Sequence, residues 1–78
     1  MEYSQKRFIK TLMKSGQSVT VFLTNGVKLQ GKIVSVDTTG DLTCLYLTRD
    51  GVTQLVYTHG ISTIMPPEGI EFNMEFNF

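Results

Sequence analysis

Two short alternating segments joined by an Asn-Gly pair, between residues 19 and 37, constrain the fold of this chain more than any other feature. Apolar residues alternate with other residue types on both sides of the pair, at Val19, Val21, Leu23, Val27, Leu29 and Ile33. An Asn-Gly pair tolerates positive φ at both central positions, as a type I′ turn requires. The stretch therefore predicts a β-hairpin closed by a type I′ turn at Asn25-Gly26.

The residues before this hairpin have the spacing of an amphipathic helix. An apolar stripe recurs at Phe8, Ile9, Leu12 and Met13. Ser4 stands where an N-cap is expected, and Gly16 stands where a helix commonly ends. The pattern predicts a helix over about residues 4–15 whose stripe packs on the core.

Three further strands follow the hairpin. Leu42, Cys44 and Tyr46 alternate after a predicted turn over residues 38–41 and predict a third strand, to which Leu45 and Leu47 are further candidates. Asp50-Gly51 is a second hairpin signal leading into residues 52–57, and a break at His59-Gly60 precedes a last strand over residues 61–65. Pro66-Pro67 ends that strand, since proline cannot donate to a ladder. A helix followed by five short antiparallel strands predicts a mostly β domain over residues 1–66, a strongly bent sheet or partly open barrel.

The last residues, 67–78, form a tail with strand periodicity. Apolar residues occupy every second position, at Ile70, Phe72, Met74, Phe76 and Phe78. This alternation predicts an extra strand, because such an apolar face is unfavourable in water.

Composition bounds the function. A chain of 78 residues makes one small domain with little core, so a partner subunit is expected to stabilise it. No apolar run approaches the length of a membrane span and no signal-peptide core is present, which favours a cytoplasmic protein. Net charge is zero, but six of the seven basic residues lie at or before Lys32. This basic half is either a nucleic-acid surface or a solvated helix face.

Catalytic and metal-binding patterns are absent from the sequence. His59 is the only histidine, and Cys44, the only cysteine, lies within an apolar strand and is expected to be a small core residue. The acidic residues show no paired spacing, and there is no ligand pair or phosphate loop. The sequence therefore predicts a non-enzyme with no cofactor and no required metal.

Two motifs carry a family resemblance. The first joins Asn25-Gly26 to Leu29, Gly31 and Ile33, and the second joins Tyr57 and His59 to residues 61–63. In this order they resemble the bacterial Hfq family, the host-factor RNA chaperones of the Sm-like superfamily. The resemblance implies an Sm-like fold, a homohexameric ring, and post-transcriptional regulation through single-stranded RNA, with A-rich mRNA segments and small RNAs as partners.

The resemblance also implies a face that binds A-rich RNA. The matching positions are Phe22, Gly26, Val27, Lys28, Leu29, Gln30, Gln54 and Thr63. Phe22 and Leu29 offer stacking surface, and glutamine amides suit the edges of adenine. The alternative is that Phe22 covers an apolar patch and that the glutamines are merely solvated.

The family's other RNA surfaces match less well. At the pore, where the family binds uridine, the corresponding residues are Gln5, Thr38, Cys44, Thr58 and His59. Thr58 replaces the family's lysine, and Cys44 replaces an aromatic for which Tyr46 is a candidate substitute. The arginine-rich rim is reduced to Lys14, while Tyr57 is implied to bond across the subunit boundary. His59 is either a pore contact or a turn histidine. These losses leave open a structural or protein-interaction ring with reduced or lost RNA binding.

Overall fold

A bent, open antiparallel sheet preceded by one helix forms the body of this computed structural model, which describes residues 3–38 and 43–70. The elements are α1 (Tyr3–Ser15), β1 (Val19–Leu23), β2 (Lys28–Asp37), β3 (Cys44–Arg49), β4 (Val52–Tyr57), a 3-10 turn (Thr58–Gly60) and β5 (Ile61–Met65). The strand order is β4-β3-β2-β1-β5, with every described pairing antiparallel. The predicted fold class is confirmed, and β4 and β5 are the edge strands.

Helix α1 packs its predicted stripe against the sheet. Ile9 and Leu12 are buried, with Phe8 and Met13 half-buried beside them. The helix begins at Tyr3, so Ser4 lies within it and not at the N-cap position that the sequence predicts. Gly16 ends it as expected, with φ of 66° and its N–H donating to the Met13 carbonyl at 3.3 Å.

The first hairpin forms, but its predicted type I′ turn is wrong. Gly26 has φ of 88°, whereas Asn25 is not among the described residues with positive φ. Gly26 donates to the Leu23 carbonyl at 3.0 Å, and Leu23 donates to the Val27 carbonyl at 2.8 Å. This is the three-residue loop in which glycine takes the left-handed position. Asn25 contributes through its side chain, since Oδ1 accepts the Val27 N–H at 3.0 Å.

The second hairpin has the geometry that was predicted for the first. Asp50 and Gly51 have φ of 52° and 80°, and Arg49 pairs directly with Val52. Positive φ at both residues of a two-residue loop is the type I′ pattern. The turn therefore places Arg49 at the very end of β3.

The core lies on one face of the sheet. Its most buried side chains are Leu12, Val19, Val21, Leu45 and Leu47. Strand β3 therefore packs on the core through Leu45 and Leu47, and Cys44 is also buried. Leu42 lies outside the described residues. In β2 the pairing is irregular between Ile33 and Ser35, which lets Ile33 and Val36 both pack on the core although they are three positions apart.

The chain after β5 turns back toward the body. A turn at Glu68 and Gly69 brings Ile70 into contact with the core, where it is half-buried. The remaining tail, residues 71–78, lies outside the described residues, as do residues 39–42, which include most of the predicted turn. The extra tail strand and the division of the chain at residue 66 stay predictions.

Candidate nucleic-acid interface

Three of the predicted RNA-binding side chains form a row across the sheet. Phe22 in β1 pairs with Lys28 in β2 on one side and with Thr63 in β5 on the other. Directly paired residues present their side chains on the same face. Because Val19 and Val21 point into the core, Phe22 points to the outer face, where it is half-buried between exposed Lys28 and Thr63. An aromatic ring beside an ammonium group and a hydroxyl suits a stacked nucleotide.

A second row lies next to the first on the same face. Thr20 pairs with Gln30 and with Met65, and the Gln30 side chain is exposed. The Gln30 Oε1 accepts a hydrogen bond from Arg49 Nη1 at 3.4 Å. Arg49, which is not among the residues predicted from the sequence, therefore lies beside one of the predicted positions, and its isolation among the acidic residues of the second half was a usable signal.

Leu29 and Gln54 lie on the opposite side of the sheet from Phe22. Leu29 pairs with fully buried Val21 and packs on the core, and Gln54 pairs with buried Leu47 while itself remaining exposed. Both line a cavity of about 320 Å³ beside the hairpin turn, together with Leu23, Thr24 and Asn25. The turn residues Gly26 and Val27 are exposed next to it, Val27 at 45%. The eight predicted positions are thus divided between the outer face, the hairpin turn and a cavity on the opposite side of the sheet.

A larger cavity joins three of the predicted pore residues. Gln5, Thr58 and His59 line about 540 Å³ of space, with Phe8, Thr43 and residues 61–64 completing the wall. Phe8 is an aromatic that the sequence assigned to the core alone. Thr58 offers no cation here, and its Oγ1 donates to the Thr43 carbonyl at 3.0 Å beside the backbone bond of 2.9 Å to the same atom.

The His59 ring, on the 3-10 turn, stacks on the ring of Tyr57. The rings of Tyr57 and His59 lie 5.5 Å apart at an interplanar angle of 24°. An offset aromatic pair of this kind contributes about 0.5–1.5 kcal/mol beyond burial. The Gly60 carbonyl within this turn accepts a hydrogen bond from the Thr24 N–H at 2.9 Å, which joins the 3-10 turn to the first hairpin turn.

Four other residues lie away from that cavity. Cys44 is buried in β3, Thr38 is exposed at the end of β2, and Lys14 is exposed in the last turn of α1. Tyr46 pairs with Ser35 and Leu55, and it is not among the residues that line the cavity. The neighbouring Cys44, through charge interaction and a side-chain hydrogen bond, raises the pKa of Tyr46 above its ordinary value, and desolvation and Asp37 contribute less.

Neither a metal-binding cluster nor a membrane-spanning helix occurs in the part of the chain that the structure describes. Within residues 3–38 and 43–70, no group of three or more His, Cys, Asp or Glu side chains could hold a metal ion. In the same part of the chain, no helix has the length and apolar character needed to cross a membrane.

The fold and the paired rows define a small Sm-like protein with an aromatic and amide face. A family model described as "Hfq protein" matches residues 4–71. The chain belongs to the Hfq family. It is 49% identical over 70 residues to the "RNA-binding protein Hfq" of Bartonella bacilliformis, covering 90% of this chain and 84% of the relative. It is 48% identical over 67 residues to the protein of the same name from Rhizobium meliloti, covering 86% and 79%.

A solved structure supports the same assignment. The crystal structure of "the pleiotropic translational regulator, Hfq" superimposes with a TM-score of 0.68 at 30% identity, covering 78% of this chain and 95% of that one.

Thr58 gives a direct test of the cavity. We expect Thr58→Lys to strengthen binding of oligo-U severalfold, because a charge-assisted hydrogen bond from the new ammonium group to the RNA contributes about 1.5–3 kcal/mol. The substitution removes the hydrogen bond of the Thr58 hydroxyl to the Thr43 carbonyl, which contributes only about 0.5–1.5 kcal/mol. Fluorescence anisotropy at fixed salt measures the change, with Thr58→Met as a control of similar length and no charge. Equal oligo-U affinities for the two variants would show that the cavity does not bind uridine through this position.

Proposed function

We propose that this chain is a cytoplasmic RNA-binding post-transcriptional regulator that binds single-stranded, A-rich RNA on its outer face, as a homohexameric ring. Membership of the Hfq family supports RNA binding, since the relatives are named RNA-binding proteins. The protein is not an enzyme, because it belongs to the Hfq family, whose matched members are named for RNA binding. Its expected partners are A-rich mRNA segments and small RNAs.

The observation that carries the A-rich preference is the row of Lys28, Phe22 and Thr63 beside Gln30. The side chains that could stack on a base and hydrogen-bond to its edge are exposed or half-buried on one face of the sheet. Gln54 and Leu29 line a cavity on the opposite side of the sheet, beside the hairpin turn, and are not part of this row. By contrast, the Thr58 hydroxyl in the larger cavity donates to the Thr43 carbonyl. Because Thr58 also carries no charge, this position offers no cation to a bound uridine.

The edge strands support assembly into a ring. Strands β4 and β5 each have one side without a pairing partner among the described strands. Large apolar side chains lie exposed on them, at Val52, Leu55, Tyr57 and Met65. Pairing of β4 with β5 of a neighbour would satisfy both edges and cover these side chains, and repeating this head-to-tail contact closes a ring. Tyr57 would then lie at the subunit boundary.

The test compares oligo-A with oligo-U under matched salt while the mass of the protein is followed by light scattering. We expect a discrete multimer that is stable to dilution and binds oligo-A more tightly than oligo-U. A monomer mass at all concentrations would refute the ring. Equal affinity for the two oligonucleotides would refute the A-rich preference, and binding of neither would favour the structural ring that has lost RNA function.

A further inference from the structure

Arg49 lies at the border of the outer face without belonging to the family's matched positions. It ends β3, and the type I′ turn at Asp50-Gly51 follows it directly. Its guanidinium reaches Gln30 Oε1 at 3.4 Å, so this cation lies beside an amide proposed to read a base. The side chain is 62% exposed, which leaves it accessible to a ligand.

Gln30 and Arg49 line one cavity. It measures about 320 Å³, and its wall includes Thr20, Met65, Pro66 and Pro67. Thr20 and Met65 belong to the row that contains Gln30, so the cavity is continuous with the outer face. It combines a cation and an amide with apolar proline surface, a combination suited to a nucleotide.

The guanidinium keeps unused donors at this place. It carries five N–H donors, and the Gln30 bond occupies one of them on Nη1. The nearby carboxylate of Asp50 lies at 3.7 Å from Nε, and its side chain is 91% exposed. Such an exposed ion pair contributes little, so it does not prevent Arg49 from binding another anion.

We propose that Arg49 binds a backbone phosphate of the RNA strand whose base lies against Gln30. This inference rests on the proposed function, since it assumes that the outer face binds RNA. The guanidinium fork matches the geometry of a phosphate group, and its bond to Gln30 fixes the distance between phosphate and base. Arg49 thereby adds affinity that does not depend on base identity.

The salt dependence of RNA binding distinguishes a phosphate contact by Arg49 from a purely structural role in positioning Gln30. Each phosphate contact to single-stranded nucleic acid contributes about −0.7 to the slope of log K against log salt. For Arg49→Gln we expect the slope for oligo-A to become shallower by at least about 0.7. The loss of affinity that the substitution causes should therefore be about fivefold larger at 0.1 M salt than at 1 M salt. Arg49→Lys keeps the charge and is expected to keep most of the slope.

Lys10→Gln is the matched control. It removes the same charge from an exposed position on α1 that lines none of the cavities described above. We expect its slope to equal that of the wild type. An unchanged slope in Arg49→Gln, an equal change in Lys10→Gln, or an equal loss in Arg49→Lys would each overturn the phosphate contact. If the wild type binds oligo-A but Arg49→Gln keeps its slope, this inference fails alone, whereas a wild type that binds no oligo-A overturns both.

Discussion

Replacing Phe22 with alanine is expected to weaken binding of A-rich RNA more than any other single change on the outer face. Base–aromatic stacking contributes about 1–3 kcal/mol per base, which corresponds to about 5- to 150-fold in affinity. Phe22 lies at the centre of the row between Lys28 and Thr63, and its ring is the only aromatic among the eight matched positions. Anisotropy titrations with oligo-A in moderate salt measure the loss.

Two variants control for indirect effects. Phe22→Tyr keeps an aromatic ring and is expected to bind oligo-A nearly as well as the wild type. His59→Ala changes the 3-10 turn and is expected to affect oligo-A far less than Phe22→Ala, because His59 is not part of the Phe22 row, although it lines both the cavity of Thr58 and the cavity of Gln54. Light scattering should show the same multimer for all three variants. Normal oligo-A binding by Phe22→Ala would mean that the working face has been assigned wrongly.

The two hairpins show how far turn signals determine a fold. Asn-Gly and Asp-Gly each located a hairpin correctly, since the strands on both sides alternate in apolar character. The turn type followed only for Asp50-Gly51. At Asn25-Gly26 the strands pair in a register that leaves three residues in the loop, and the Asn25 side chain bonds the Val27 N–H. Loop length depends on the pairing register, which the local sequence does not specify.

The residues of the candidate site could be predicted from the sequence motifs. The face of the sheet on which each residue lies could be predicted less well. Phe22, Lys28 and Thr63 are far apart in sequence, yet pairing of β1 with both neighbours aligns them. Leu29 and Gln54 were expected on that face, but their pairing with Val21 and Leu47 places them on the other side. Arg49 reaches Gln30 because it is long and lies at a strand end, a contact with no sequence periodicity.

Leu45→Ala is expected to produce the largest loss of stability, because Leu45 is 0% exposed at the centre of the core. Truncating a buried leucine removes transfer free energy and leaves a cavity, at a cost of about 2–5 kcal/mol. Its neighbours across the sheet, Val36 and Val56, belong to paired strands and cannot close the gap without moving the backbone. Urea unfolding at a fixed protomer concentration measures the change, since assembly contributes to apparent stability.

Val34→Ala is the control for this experiment, because Val34 is 50% exposed at the irregular pairing of β2. A surface substitution of this kind is expected to change the free energy of unfolding by less than about 0.5 kcal/mol. If the loss in Leu45→Ala comes from the core alone, the folded variant should keep the wild-type preference for oligo-A, since Leu45 lies on the face opposite Phe22. Equal stability of the two variants would mean that the sheet does not pack around Leu45 as described.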